Sequence, residues 1–415
     1  MLSGRPQFSP TQSAASRYPL EFRSSIVKRK IAIVTSSRAD YAHTRWLVHE
    51  LGRSLQVDLR VITLGPHLSP AFGHTGRSVA RPKASSGAGG QPIEHIECLL
   101  DSDTDVGMAK TIGIATLGMA DVLARLRPDI LVLIADRYEM LAPASVALAL
   151  RIPTAHVEGG EITIGAIDDT VRNALTKMSH LHFACTEKAA ERIAGMGEEP
   201  WRITFSGSLS LDALGRERLP AAVQLRKELG FAVTKETLIC VYHPVTMLEN
   251  TVEEAGEVFA ALQQSRKPIV FVYPNADAGS REIIRRAEDF VVANPRARVL
   301  VNLDHLMYLS LLKHAGALVG NSSSGIIEST SLEVPVVNIG IRQRGREHAA
   351  NVIDVPAKRK AIQAAIKKAL SPVFRKSIRG LENPYGEGTA AKIISKVLIE
   401  TPLGPKLLFK HADLL

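Results

Sequence analysis

The sequence predicts an α/β fold: two doubly wound, Rossmann-like domains facing a cleft. Three observations carry that prediction. Short apolar runs alternate with segments of helical period along most of the 415 residues, as strands and covering helices do in a parallel sheet. Each run ends abruptly in small and polar residues. The alternation then restarts after a charged connector at about 212–236, which separates two units of similar size.

The elements follow in order. Lys30–Thr35 is apolar and β-branched and reads as the first strand. The turn Ser36-Ser-Arg-Ala-Asp-Tyr41 leads into a helix through Trp46, Leu47 and Leu51. Leu55–Leu64 is a second strand, and the Gly-, Ser- and Pro-rich stretch 67–91 reads as a long loop. Met108, Ile112, Ala115, Met119, Leu123 and Leu126 recur every three or four residues and mark a helix face. Pro128–Ile134 is continuously apolar, as a strand buried on both faces should be. Ile152–Val157 repeats the pattern and stops at Glu158-Gly-Gly-Glu161. In the second unit the strand candidates are 237–242, 268–273, 298–302, 316–319 and 335–339. The expected domain limits are 30–211, 212–372 and a C-terminal helical segment 373–415 that partly crosses back to the first domain.

Composition narrows the function classes. The chain is 45% hydrophobic, enough for two cores, and it contains no run of 18 apolar residues, so no membrane span is expected. Of the net charge of +9, residues 1–30 supply +5, from six basic residues against Glu21. Residues 1–29 are expected to be a disordered basic leader. They lack the apolar core of a secretory signal, and a cytoplasmic location is expected. No basic run interleaved with aromatics points to nucleic acid. Cys98, Cys185 and Cys240 lie far apart, without a CxxC unit, which argues against disulfides and structural zinc.

Polar groups gather at the strand exits, where ligands bind in such sheets. The first unit offers Arg38 and Asp40, Asp136 and Arg137, His156, Glu158 and Glu161, and Asp168 and Asp169. Paired acids in unlike surroundings split their pKa values into a base and an acid. Asp, His and Glu also suit a divalent ion, but no ligand spacing repeats. The second unit offers His243-Pro244, Asp304-His305, the run Gly320-Asn-Ser-Ser-Ser-Gly325, Glu328, and Arg342, Arg344 and Arg346. A helix cap needs one Ser or Asn. Four together at an expected helix start suggest an anion site, with arginine as a bidentate phosphate clamp. Glu328 beside a phosphate makes sense only if it bonds hydroxyls, such as a ribose diol. There is no Walker A loop, no GxGxxG after the first strand, and no G-x-S-x-G elbow. A sugar or nucleotide diphosphate is therefore expected in the second unit, with its reacting end toward the acids of the first.

Eight motifs together resemble the hydrolysing UDP-N-acetylglucosamine 2-epimerases of sialic acid and nonulosonate biosynthesis. They are Thr35–Tyr41, Ala135-Asp-Arg137, His156–Glu161, Ile167-Asp-Asp169, Thr176–His180, Tyr242–Thr246, Gly320–Glu328 and Asn338–Gln343. The resemblance spans about residues 30–398. It implies a fold of the glycosyltransferase B type and conversion of UDP-N-acetylglucosamine and water to N-acetylmannosamine and UDP through a glycal. It implies Asp136, Glu158, Asp168 and His243 as catalytic residues. Arg38, Ser322, Ser323, Glu328 and Arg342 are implied as substrate-binding. No metal or other cofactor is implied; the partner is the UDP-sugar, and the assembly a homodimer or homotetramer. Ala135 departs from the usual glycine, and the stretch Pro82–Gln91 from the usual helix. Rival readings keep the fold: a UDP-2,4-diacetamido-2,4,6-trideoxyglucose substrate, a non-hydrolysing epimerase, a glycosyltransferase, or a silent UDP-sugar-binding protein.

Overall fold

The computed structural model describes residues 28–69, 76, 79, 93–100, 104–245, 251–273, 280–301 and 303–411. The basic leader, apart from its last two residues, and the stretch Pro82–Gln91 lie outside the described residues.

The first sheet has seven strands: β1 (Arg29–Thr35), β2 (Val57–Leu64), β3 (Ile93–Ile96), β4 (Ile130–Ile134), β5 (Thr154–Gly159), β6 (Leu181–Ala184) and β7 (Ile203–Phe205). All neighbouring pairs are parallel, in the order β3-β2-β1-β4-β5-β6-β7. The second has six: β8 (Leu238–Val241), β9 (Ile269–Val272), β10 (Ala297–Leu300), β11 (Ala317–Gly320), β12 (Val336–Ile339) and β13 (Val352–Val355). It too is parallel, in the order β10-β9-β8-β11-β12-β13. Both are doubly wound. The strand order reverses between β1 and β4 and again between β8 and β11, and such reversals open the crevices that hold ligands.

Burial explains the strand compositions. Every residue of β4 is buried, which is why Ile-Leu-Val-Leu-Ile carries no polar alternation. The helix Asp105–Leu126 is long and apolar enough to cross a bilayer by length and composition. Here Ala115, Met119, Val122, Leu123 and Leu126 are buried and join the core formed with β2, β4 and the helix Leu141–Leu150. The C-terminal helix Ala390–Glu400 lies against the helix Arg38–Arg53, and its Ala391, Ile394 and Leu398 enter the first-sheet core with Ile31 and Leu47. Farther on, buried Arg202 donates to the carbonyl oxygens of Lys406, Leu407 and Phe409 and so pins the chain end to the first domain.

Candidate functional site

The strand ends that converge on the cleft carry most of the expected residues. Asp136 follows β4. Ala135 before it has φ +55°, a left-handed backbone that favours glycine. That geometry turns the chain sharply at the strand end. The Ala135 N–H donates to the Val157 carbonyl (2.9 Å), and its carbonyl is bonded by His156 Nε2 (2.7 Å). Ala135→Gly is therefore expected to stabilise the chain by up to about 1 kcal/mol in denaturant unfolding, since left-handed strain exceeds glycine's entropic cost.

Glu158 also has positive φ, +67°. It sits where the β5–β6 register slips between Val157 and Gly159. Such a bulge re-aims a side chain, and here Glu158 Oε1 accepts from Ser208 Oγ at 3.0 Å.

The two acids lie in opposite electrostatic settings. Burial would raise Asp136, but Arg172, and then Arg346 and Arg342, outweigh it and hold the carboxyl below its ordinary value. Arg172, 1% exposed, bonds Asp136 directly. Burial pushes Glu158 above the ordinary carboxylate value; the charges of Asp136 and Glu161 add to this, against His43 and Ser208. The two carboxyls are thus pushed apart, Asp136 toward the ionised form and Glu158 toward the protonated one.

Asp168 opens the helix Ile167–Met178, and its Oδ2 lies 3.9 Å from Arg342 Nη2 of the second domain. His243 follows β8. Burial, and then the charge of Arg342, lower its pKa to about 3, so it works as a neutral imidazole. Arg38 is the first residue of its helix after β1; its side chain lies outside the described residues.

The run after β11 departs from expectation in one respect. The helix that follows the serines, Ser324–Ile327, is a single turn, too short to supply much of a macrodipole. What the run builds is a brace. Asn321 Oδ1 accepts from the His243 N–H (2.7 Å), and Asn321 Nδ2 donates to the His243 carbonyl (2.9 Å), tying β11 to β8 across the crevice. The Asn321 carbonyl accepts from Arg342 Nη1 (3.2 Å) and Gln343 Nε2 (2.8 Å). Ser322 Oγ accepts from Ser324 N–H (3.4 Å), and Ser324 Oγ pairs with the Tyr308 hydroxyl. Ser323 caps the short turn through its backbone. Glu328 is 3% exposed. Among the described residues its Oε2 has no hydrogen-bond partner, nor do the ring nitrogens of His305, whose Nε2 lies 4.0 Å from Glu328 Oε1. Buried unsatisfied groups side by side are what a ligand with hydroxyls would complete.

Several strand-end polar residues turn out to hold the fold. Asp40 closes a capping box with Ser37, Asp304 caps its helix, Arg137 pairs with Glu139, and Asp169 accepts from the Thr163 N–H (2.8 Å). Arg344 is exposed. Arg346, grouped with the phosphate donors by sequence, reaches instead into the first domain at Ile162 and Thr163. Arg172, Thr163, Ser208 and Tyr385, whose hydroxyl donates to Glu161 Oε2 (3.1 Å), were not singled out by sequence.

Known proteins resemble this chain in sequence and in fold. A hydrolysing GDP/UDP-N,N'-diacetylbacillosamine 2-epimerase of Campylobacter jejuni is 37% identical over 79% of this chain and 84% of its own. A hydrolysing UDP-N,N'-diacetylbacillosamine 2-epimerase of Legionella pneumophila is 33% identical over 92% and 98%. The solved structure of a Neisseria meningitidis UDP-GlcNAc 2-epimerase bound to UDP-GlcNAc superposes with a TM-score of 0.74 at 16% identity, covering 90% of this chain and all of that one. The family model for UDP-N-acetylglucosamine 2-epimerase matches residues 49–399. With that span and those relatives, the chain belongs to the UDP-N-acetylglucosamine 2-epimerase family.

Proposed function

We propose that the chain is a hydrolysing 2-epimerase of a UDP-activated 2-acetamido sugar, with UDP held by the second domain and the sugar turned toward the first. The observation that carries this reading is a pair of acids in unlike surroundings, Asp136 bonded by Arg172 and buried Glu158 held by Ser208, with Arg342 of the second domain reaching Asp168 on the same side. Arg342, the hydroxyls of Ser322 and Ser323, and Arg38 contact the diphosphate. Glu328, buried and with one oxygen unpaired among the described residues, accepts from the ribose hydroxyls.

The chemistry follows from the charge states. Asp136 takes the C2 proton as the C1–O bond to UDP breaks. The electron pair forms the C1–C2 double bond of a glycal, and UDP leaves as an anion stabilised by Arg342 and backbone N–H groups. Water then adds its hydroxyl at C1, while Glu158 delivers a proton to the opposite face of C2, inverting that centre. Neutral His243 orients the leaving group or the water by hydrogen bonding. Asp168, beside Arg342, restrains that arginine and receives the proton of the attacking water.

Between sugars, UDP-2,4-diacetamido-2,4,6-trideoxyglucose is favoured over UDP-N-acetylglucosamine. The two relatives at 37% and 33% identity bear the diacetylbacillosamine name. A homodimer or homotetramer is part of the proposal; exposed Val106, Ile114 and Leu117, with Leu148 on the neighbouring helix, offer an apolar face for it.

Proton NMR in heavy water, with each sugar nucleotide in turn, tests this. The expected product is the free 2-epimerised diacetamido sugar carrying deuterium at C2. N-acetylmannosamine as the faster product would move the substrate to UDP-N-acetylglucosamine. A 2-epimer still attached to UDP would overturn hydrolysis, and no change with either sugar would overturn the enzyme.

A further inference from the structure

The reaction proposed above needs Asp136 fixed in one orientation, and the chain builds that hold from both domains. Arg172 comes from the first-domain helix Ile167–Met178. Its Nη2 bonds the Asp136 carboxylate and also donates to Thr163 Oγ1 at 2.8 Å; its Nη1 donates to the Glu161 carbonyl at 2.9 Å. Arg346 comes from the second domain, on the segment that follows β12. Its Nη2 donates to the same Thr163 Oγ1 at 2.9 Å, its Nε to the Ile162 carbonyl at 2.6 Å, and Nε lies 3.4 Å from Glu161 Oε2. One hydroxyl, on a residue 1% exposed, thus accepts from two arginines of opposite domains. A threonine hydroxyl has two acceptor lone pairs, so both bonds are made at once.

The surrounding contacts make this a docked surface rather than a chance approach. Arg192 donates to the carbonyls of Gly160 (2.9 Å) in the first domain and Gly345 (3.0 Å) in the second. The Lys188 N–H donates to Glu347 Oε2 at 3.2 Å. Gly345, with φ +86°, packs so near Ile162 that a Cβ there would lie 3.2 Å from Ile162 Cδ1. Three residues before Gly345 stands Arg342, which touches the Asn321 brace and approaches Asp168.

We propose that Thr163 and Arg346 are positioning residues. Through Arg172, they make the orientation of Asp136 depend on docking of the second-domain segment 340–347, so that the base is aligned only while that segment and the nucleotide beside it are in place. This rests on the 2-epimerase reading for the role of Asp136. In physical terms, among the described residues Arg172 bonds four acceptors, of which the Thr163 hydroxyl is the one that also accepts from the second domain. Arg346 is also among the cations that keep Asp136 ionised. Undocking would remove both the shared bond and that charge.

Thr163→Val keeps the shape and deletes the hydroxyl. It is expected to lower kcat by about 10- to 100-fold, the scale of an ångström of misplacement, with UDP affinity nearly unchanged and the acid limb of the rate profile moved to higher pH. Thr163→Ser should recover most of the loss. Hydrogen exchange on the full chain gives a readout without turnover. UDP alone should slow amide exchange at 161–172 as well as at 320–328 in the wild type, but only at 320–328 in Thr163→Val. A Thr163→Val enzyme with wild-type kcat, a serine variant as impaired as the valine one, or equal UDP protection at 161–172 in both proteins would overturn the coupling. A wild type silent toward both sugars that still shows the Thr163-dependent protection would keep the coupling and overturn only the reaction. A wild type that does not bind UDP would sink both.

Discussion

Glu158→Gln is expected to cut turnover by about 10²–10⁴-fold, the usual contribution of a positioned acid or base, while making the protein more stable at pH values above the raised pKa of Glu158. Glutamine keeps the shape and can still accept from Ser208, whose hydroxyl lies 3.0 Å from Glu158 Oε1. What it removes is the proton. Burial raises the Glu158 pKa in the folded chain, helped by Asp136 and Glu161. A group whose folded pKa is raised contributes stability that is full below its unfolded pKa and lost as pH rises through the folded one. The wild type therefore loses stability on the alkaline side and the glutamine variant does not. Their difference in unfolding free energy should grow as pH rises and close as it falls. Asp136 has the opposite sign. Its lowered folded pKa gives stability present above the unfolded value and lost as pH falls through the folded one. Turnover should accordingly be bell-shaped, with its acid limb set by Asp136 and its alkaline limb by Glu158; residual activity in the glutamine variant should lack the alkaline limb. Urea melts across a pH series and a rate profile check both halves. A variant with wild-type kcat would remove Glu158 from the chemistry, and a stability difference flat in pH would mean the carboxyl is not held protonated.

Most of the central strands are visible in the sequence and most of the edges are not, with internal β6 missed and edge strand β10 found. β1, β4, β8 and β11 lie inside their sheets and carry runs of apolar residues, and β5 shows although His156 and Glu158 interrupt it. β3, β6, β7 and β13 escaped notice. Each has only three or four residues, and polar residues break their pattern, such as His182 in β6 and Asp354 in β13. The site divides in the same way. Asp136, Glu158, His243 and the Asn321 turn lie at or near strand ends, the positions at which the sequence makes them candidates. Arg172 and Thr163 are not among them, because their meaning depends on partners 36 and 183 residues away. One signal was available for Arg172: it shares the buried face of its helix with Val171, Leu175 and Thr176, and an arginine on a core face requires a buried acceptor. Nothing local marks Thr163, whose role exists only once the two domains meet. The reverse error has the same origin. Asp40, Asp304 and His156 occupy positions that look functional, and the structure uses them for caps and for pinning the Ala135 carbonyl.

Gly320→Ala should be among the most damaging single-methyl changes in the second domain, costing about 3 kcal/mol or more when overpacking and backbone strain combine. Gly320 has φ +149°, and an added Cβ would lie 1.9 Å from the Val241 carbonyl oxygen. That oxygen is fixed backbone at the end of β8 and accepts the Asn321 N–H at 3.1 Å, so the methyl and this bond compete for one position. Moving Asn321 breaks a chain of dependent contacts: its side chain clamps both backbone groups of His243, and its carbonyl holds Arg342 and Gln343. The loss should therefore appear twice, as a lower unfolding free energy and as UDP binding weakened well beyond what that loss alone accounts for. Gly325 supplies the control. It belongs to the same run, but an added Cβ there would lie 2.7 Å from Leu318 Cδ2 and 3.0 Å from Val336 Cγ1, side-chain atoms in the core rather than backbone. Gly325→Ala should cost no more than about 1–2 kcal/mol and leave the brace, and with it UDP affinity, largely intact. Calorimetric titration with UDP and denaturant melts of both variants separate the cases. If Gly320→Ala proves as stable and binds UDP as tightly as Gly325→Ala, the glycine is there for chain reversal alone, and the brace between β8 and β11 does not hold the nucleotide end of the cleft.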